Sequence, residues 1–239
     1  MIKRMKNIAV ITARGGSKRI PHKNIKEFCG KPILSYSIEA ALCAGIFDEV
    51  MVSTDDMEIA EIAKKAGAAI PFMRSEKTSD DYATTRDVLL EVLQEYKAVG
   101  KEFDNLCCIY PTAPFVTAKK LQNAMELLLQ KNADCVSPVV RYSFPPQRCY
   151  VIQEGILQHK WPEYRLSRSQ DLEPYYHDCG QFYVYKTDSF LHKEREDWIH
   201  VPLIIPETEV QDIDNEEDWE IAELKYQAMQ NVRDEYNHE

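Results

Sequence analysis

Apolar positions along the chain follow two alternating rhythms. Continuous runs at 7–13 and 49–53 read as short β-strands, and between them Leu34, Ile38, Ala41 and Leu42 recur at helical spacing, which predicts a βαβ unit. A second helix is expected at about 56–66, with Ile59, Ala60 and Ala63 on one face, and a third at about 84–98, with Val88, Leu89, Val92, Leu93 and Tyr96. Three of the chain's eight glycines, Gly45, Gly67 and Gly100, fall just past these helices, where a left-handed cap residue is wanted. Further apolar runs at 69–73, 105–109 and 134–140, with a helix at about 117–131 opened by Thr117, continue the alternation. Such a pattern predicts an α/β fold with a mostly parallel sheet covered by helices.

The rhythm stops at 141–179. Pro145, Pro146, Pro162 and Pro174 punctuate a segment rich in aromatics and arginines that has no long helical period, so an inserted arm is expected there. Strand-like residues resume at 181–186 and 199–205. A last helix begins at about 215, with Asn215 as its cap, Glu216, Glu217 and Asp218 in its first turn, and Trp219, Ala222, Tyr226 and Met229 as its buried stripe. No linker or fixed repeat divides residues 1–239, so a single domain carrying the arm is predicted.

Charge changes this picture locally. The net charge of −10 argues against a nucleic-acid surface. Residues 1–31, however, hold nine of the 29 Lys and Arg residues and a single acid, Glu27, which points to a local anion site in an acidic protein. The first apolar run is too short for a secretory signal, and no stretch approaches the ~20 apolar residues of a membrane span. Seven cysteines without CxxC pairs support neither a disulfide framework nor a zinc site, and a reducing cytoplasm is expected.

The anion site has a sequence. Ala13-Arg14-Gly15-Gly16-Ser17-Lys18-Arg19-Ile20-Pro21-His22-Lys23-Asn24 follows the first strand directly, at the end of an open sheet where ligands bind. A glycine pair lets backbone N–H groups close around phosphate oxygens, and the basic side chains supply countercharge. The stretch lacks the GK[ST] ending of a Walker loop, and the absence of GxGxxG argues against an oxidoreductase. Far along the chain, Asp212 and Asp214 stand two apart in an extended segment, so both carboxylates face one side while Ile213 turns to the core. Such a pair suits Mg²⁺ beside substrate phosphates; helix capping is a second role open to Asp214.

The glycine loop, together with Val52-Ser53-Thr54-Asp55, Arg74 ahead of Ser79-Asp80 and Thr84-Thr85, Pro111-Thr112-Ala113-Pro114, Gly180-Gln181-Phe182-Tyr183 and Asp212-Ile213-Asp214, resembles the acylneuraminate cytidylyltransferases in order and over nearly the whole chain. The resemblance implies a Rossmann-like nucleotidyltransferase fold of the glycosyltransferase-A type, with CTP and an acidic nine-carbon sugar as substrates. By it Arg14, Gly15, Gly16, Ser17, Lys18 and Lys23 would hold the triphosphate, Asn24, Arg74 and Thr84 would line the cytidine pocket, and Asp212 and Asp214 would bind Mg²⁺. Lys23, Arg14 and Asp214 are the expected catalytic residues. Tyr110, Arg168, Gln170, His177 and Tyr183 would contact the sugar, although His177 also suits a structural role. The stretches 167–172 and 177–183 look like the branch that handles pseudaminic acid. Ten of the 24 aromatics fall within 142–185, which fits a sugar with a methyl end and an added acetamido group. N-acetylneuraminic, legionaminic or KDO substrates are the alternatives, and a catalytically idle nucleotide-binding module is another. The resemblance also implies a homodimer formed through the arm.

Overall fold

In the computed structural model, residues 4–17 and 19–237 are described, with side chains described as far as 231. Lys18, expected at the triphosphate, lies outside the described residues. Strands β1 (Asn7–Thr12), β4 (Glu49–Ser53), β5 (Asn105–Ile109), β6 (Cys135–Arg141), β10 (Phe182–Lys186) and β11 (His200–Ile204) form one sheet in the order β11-β6-β10-β5-β1-β4. Strand β10 runs antiparallel between β5 and β6, while β1 pairs parallel with β4 and β5, and β11 with β6. The mostly parallel expectation is therefore met. Two short strands, β2 (Glu27–Phe28) and β3 (Lys31–Pro32), form a small ribbon after the glycine loop.

Alternation along each strand splits the core into two layers. Ala9, Ile11, Val50, Val52, Cys107 and Ile109 face α1 (Ile33–Ala44), α2 (Met57–Lys65) and α4 (Ala118–Gln130), while Ile8, Val10, Met51, Leu106 and Cys108 face α3 (Thr85–Ala98) and α5 (Thr187–His192). Caps set the helix starts: Asp56 accepts from two backbone N–H groups of α2, Thr84 forms a capping box with Asp87, and Thr117 caps α4. The final helix, α6 (Glu216–Asn237), packs Trp219 and Ala222 with Ile20, Phe28, Phe115 and Ile213, which closes the domain beneath the glycine loop.

Two expectations change. The run at 69–73 is not a strand, and only Ala69 bridges to Met51. Pro71 offers no N–H to continue the ladder, and the chain leaves the sheet edge towards Arg74. The arm is also shorter than its composition suggested, because β9 (Tyr176–Asp178) pairs with the end of β6 and belongs to the main sheet. What projects is residues 142–175, built around a hairpin of β7 (Tyr150–Gln153) and β8 (Ile156–His159). Its turn places Glu154 and Gly155 at φ of 52° and 76°, the paired positive values of a tight hairpin connection.

Candidate functional site

The glycine loop leaves the C-terminal end of β1 and is tied down on three sides. Gly15 N–H donates to Asp55 Oδ1 at 2.9 Å, Asn24 Nδ2 donates to the carbonyl of Arg14 at 2.8 Å, and Lys23 Nζ donates to the carbonyl of Ile213 at 2.7 Å. Glycine is needed at 15 for space. A Cβ there would lie 2.8 Å from Asp56 Oδ2. Gly16 has nothing comparable beside it, which leaves its backbone open to a ligand.

Beyond the loop opens a cleft of about 680 Å³, walled by Thr12, Arg14, Ser17, Arg19, Lys23 and Asn24 on one side and by Tyr110, Pro111, Thr112 and Asp212 on the other. Distant parts of the chain thus meet at the carboxyl ends of β1 and β5. Ile213 is buried, so Asp212 and Asp214 do project together from an extended segment. Capping of α6 falls to other side chains: Asn215 accepts from Asp218 N–H, and Asp218 accepts from the N–H groups of Asp214 and Asn215. The Asp214 carboxylate instead meets Arg19 Nη2 at 2.7 Å.

The electrostatics of this corner are coupled. Partial burial pushes the Lys23 ammonium below its ordinary pKa, Asp214 and Asp212 oppose that shift, and the Arg19 charge adds to it. Asp212 is pushed above the ordinary carboxylate value because the cleft walls strip water from it and because Asp214 stands beside it. Arg14 directs its guanidinium to Asp81 Oδ1 at 3.0 Å and to the Asp80 carbonyl at 3.3 Å, an exposed pairing that a polyanion can outcompete.

Other expected residues are placed elsewhere. Arg74 is buried below the β4 end and donates to Ser53 Oγ at 3.0 Å and to the Ser53 carbonyl at 2.6 Å; desolvation lowers its pKa, with Asp55 and Glu91 opposing. It does not line the cleft and instead supports the strand end from which Asp55 reaches Gly15. Thr84 caps α3 and lines a neighbouring cleft of about 600 Å³ on the α3 face of the sheet. Tyr110 borders both clefts, and its ring packs edge-on against Tyr183 at 5.6 Å. Tyr183 Oη donates to Asp178 Oδ1 at 2.8 Å, and burial is the main cause of its strongly raised pKa.

The remaining arm residues do not converge on either cleft within one chain. His177 is exposed beside Tyr142, with ring centroids 4.7 Å apart, and its Nδ1 lies 2.9 Å from the Asp178 carbonyl. Gln170 borders a third cleft with Tyr142 and Pro145, while Arg168 is exposed on the arm. Sequence reasoning missed Arg86, Ser137, Arg195 and His200, which line the second cleft with Tyr183. Ser137 and His200 lie on adjacent strands two registers apart, a proximity that only sheet order reveals.

Residues 8–212 match the model of a family described as cytidylyltransferase. A pseudaminic acid cytidylyltransferase of Campylobacter jejuni is 41% identical over 94% of this chain and 97% of its own length. A CMP-N,N'-diacetyllegionaminic acid synthase of Legionella pneumophila is 34% identical over 79% of this chain and 77% of its own. Among solved structures, CMP:2-keto-3-deoxy-manno-octonic acid synthetase complexed with CTP superposes with a TM-score of 0.69 at 18% identity, covering 95% of this chain and 99% of that one, a likeness of fold. With a family model spanning most of its length and a relative this similar end to end, the chain belongs to the cytidylyltransferases, a family of nucleotidyltransferases.

Proposed function

We propose that the protein transfers CMP from CTP to the anomeric hydroxyl of pseudaminic acid and releases pyrophosphate. The observation that carries this reading is the meeting of the glycine loop, Lys23 and Asp212 in one cleft that shares the Tyr110 wall with a second, aromatic one. The nearly full-length likeness to a pseudaminic acid cytidylyltransferase supports the choice of sugar.

In this reading the triphosphate lies along the loop, held by the backbone around Gly15, Gly16 and Ser17 and by Arg14 and Lys23. Lys23 is fixed by the Ile213 carbonyl, so its charge is already in position when negative charge builds on the transferred phosphate. Asn24, hydrogen-bonded to the Arg14 carbonyl, holds the two ends of the loop at the spacing the nucleotide needs. The sugar lies against Tyr110 and Tyr183, with its anomeric hydroxyl towards the cleft and in line with the scissile bond.

Asp212 and Asp214 fit a Mg²⁺ ion: they are hard oxygen donors, and Asp212 resists ionisation, first because burial strips water from it and second because Asp214 stands beside it, a cost that a cation would relieve. Among the described residues no third His, Cys, Asp or Glu joins them in a metal-holding cluster, so water and substrate phosphate would have to complete the ion's shell. When bound, Mg²⁺ would neutralise phosphate charge and acidify the attacking hydroxyl. The arm would pair two subunits, bringing residues such as Arg168 and Gln170 towards a partner's sugar. The unpaired cysteines suit work in the reducing cytoplasm. No helix among the described residues is long and apolar enough to cross a membrane.

The test is pyrophosphate release from CTP with pseudaminic, N-acetylneuraminic, legionaminic and KDO acceptors, each with and without Mg²⁺. Pseudaminic acid should show the highest kcat/KM, and only with the metal. Equal or better use of N-acetylneuraminic acid overturns the sugar assignment, and no release with any acceptor overturns the activity.

A further inference from the structure

Facing the glycine loop, the far wall of the nucleotide cleft is made from two stretches distant in sequence: the turn at 110–115, which supplies Tyr110, Pro111 and Thr112, and the extended segment at 209–214, which supplies Asp212. The second stretch pairs with no strand. Lysine side chains hold it instead. Lys225 Nζ, on α6, donates to the Val210 carbonyl at 2.7 Å and to Gln211 Oε1 at 3.1 Å, and Lys23 Nζ donates to the Ile213 carbonyl.

A third lysine joins the two stretches. Lys120, in the first turn of α4, is buried, which a lysine seldom is unless paired. Its Nζ donates to the Phe115 carbonyl at 2.9 Å and meets Glu209 Oε2 at 2.7 Å. At the other end of the turn, Tyr110 N–H donates to the Gln181 carbonyl at 2.8 Å, and Gln181 Nε2 donates to the Glu209 carbonyl at 2.7 Å. Glu209 thus holds both ends of the turn, one through its carboxylate and Lys120, the other through its carbonyl and Gln181. The Gln181 Oε1 is buried and makes no hydrogen bond among the described residues, an unfavourable arrangement kept where the amide's donor is needed.

We propose that Lys120 and Glu209 are positioning residues for the transfer reaction, a buried pair that locks the 110–115 turn to the Asp212 segment so that the turn and the carboxylate form one rigid wall. Neither side chain is among those lining the cleft, so both act through Asp212, three residues beyond Glu209. A buried ion pair adds little net stability over apolar side chains of similar size, and its use here is geometric. The inference rests on the reading that Asp212 and Asp214 hold the metal ion: an ion that demands near-ideal octahedral geometry is sensitive to how the groups behind its ligands orient them.

The test uses the full chain with Lys120→Met, Glu209→Met and the two together. Each single variant leaves one charge without its partner and should melt below wild type, whereas the double variant removes both charges and should regain most of the melting temperature. Catalysis should not follow stability. In all three variants kcat at saturating substrates should fall about tenfold to a hundredfold, and so should the affinity of the CTP-bound protein for Mn²⁺, read by electron paramagnetic resonance. CTP affinity without metal, measured by calorimetry, should stay within about threefold of wild type, because the glycine loop keeps its own ties to Asp55 and Asn24. Recovery of kcat and Mn²⁺ affinity together with the melting temperature in the double variant makes the pair structural only and overturns the proposal, as do wild-type values of both in a folded single variant. Asp212→Asn separates this inference from the reading beneath it. If that variant binds Mn²⁺ with CTP as tightly as wild type, the ion is not held by this segment and the inference falls with the metal assignment; if Asp212→Asn alone loses the ion, the metal assignment stands and only the inference fails.

Discussion

The loop at 13–24 and the arm at 142–175 are both irregular segments inserted where a helix is expected to follow a strand, and a single chain treats them differently. The loop is cross-linked to remote parts of the sequence: Gly15 to Asp55, Lys23 to Ile213, and Ile20 into a buried cluster with Phe28 and Phe115. Beyond its base, where Ser143 Oγ donates to Glu207, the arm's side-chain polar contacts run within itself, as from Arg148 to Ser169 and Gln147 to Glu173, and its apolar side chains face outwards, with Phe144 at 86%, Ile152 at 74% and Leu157 at 60% exposure. A segment held from several sides is preorganised for phosphate, whereas one that exposes so much apolar surface calls for another surface to cover it. The nucleotide end of the enzyme is thus finished in one chain, and the arm is not.

The sharpest break of that contrast lies at the finished end. Asp214→Asn and Asp212→Asn should each lower kcat/KM about a thousandfold while leaving the fold intact, on the scale of the several kcal/mol a Lewis-acid metal supplies. Steady-state kinetics across a Mg²⁺ titration checks this, and near wild-type rates in folded protein would remove the metal from these residues. Next in size, Lys23→Ala should lower kcat about a hundredfold and raise the CTP KM, as expected when a preorganised cation is taken from the transferred phosphate. A change in protein yield alone, with unaltered kinetics, would make the loop's tie to Ile213 merely structural.

The same contrast explains what could be read from the sequence. Strands β1, β4 and β5 and helices α1 to α4 were legible because period and caps agree there: Thr117 caps α4 as expected, and Gly45 takes the left-handed cap position with φ of 65°, whereas Thr84, expected in the nucleotide pocket, caps α3. The Asp212-Ile213-Asp214 pair was legible because alternation in an extended segment needs no tertiary knowledge. Arg74 was not: its type suggested a ligand contact, but its environment, buried under Ser53, is a product of how β4 ends. Residues of the second cleft were invisible for a related reason. His200 reaches Ser137 only because β11 is placed beside β6, a sheet order that no local pattern encodes. The arm's end was misjudged because β9 returns to the sheet after proline-rich chain, without an apolar run of its own.

At the unfinished end the expected effect is smaller in energy and larger in assembly. Ile152→Asp with Leu157→Asp puts charge on the outward apolar face of the β7–β8 hairpin, which is remote from both clefts' walls. If the arm pairs subunits, sedimentation should show the doubly substituted protein as a monomer at micromolar concentration while CTP still raises its melting temperature as in wild type. A wild-type monomer under the same conditions would mean that this surface is not used for pairing.

The smallest expected effect is on stability, and it carries the opposite sign to the effect on catalysis. Folding places Asp212 among cleft walls that desolvate it and next to the Asp214 carboxylate, and Lys23 only partly offsets the cost, so its pKa is higher in the folded than in the unfolded chain. A carboxyl shifted upwards favours the folded state while it is protonated, below its ordinary value, and loses that contribution as pH rises through the folded pKa. At neutral pH the ionised side chain therefore works against the fold. Asp212→Asn removes that charge, so without CTP or metal the variant should melt at a slightly higher temperature than wild type near pH 7. The gap should narrow as pH falls through the raised value and close towards the ordinary carboxylate range. Calorimetric melting curves over that pH range measure it. Mg²⁺ with CTP should then reverse the order, stabilising wild type more than the variant because only wild type offers both carboxylates to the ion. A gap of constant size at every pH would assign the effect to packing rather than to charge and would remove the electrostatic reason for placing a cation at this pair.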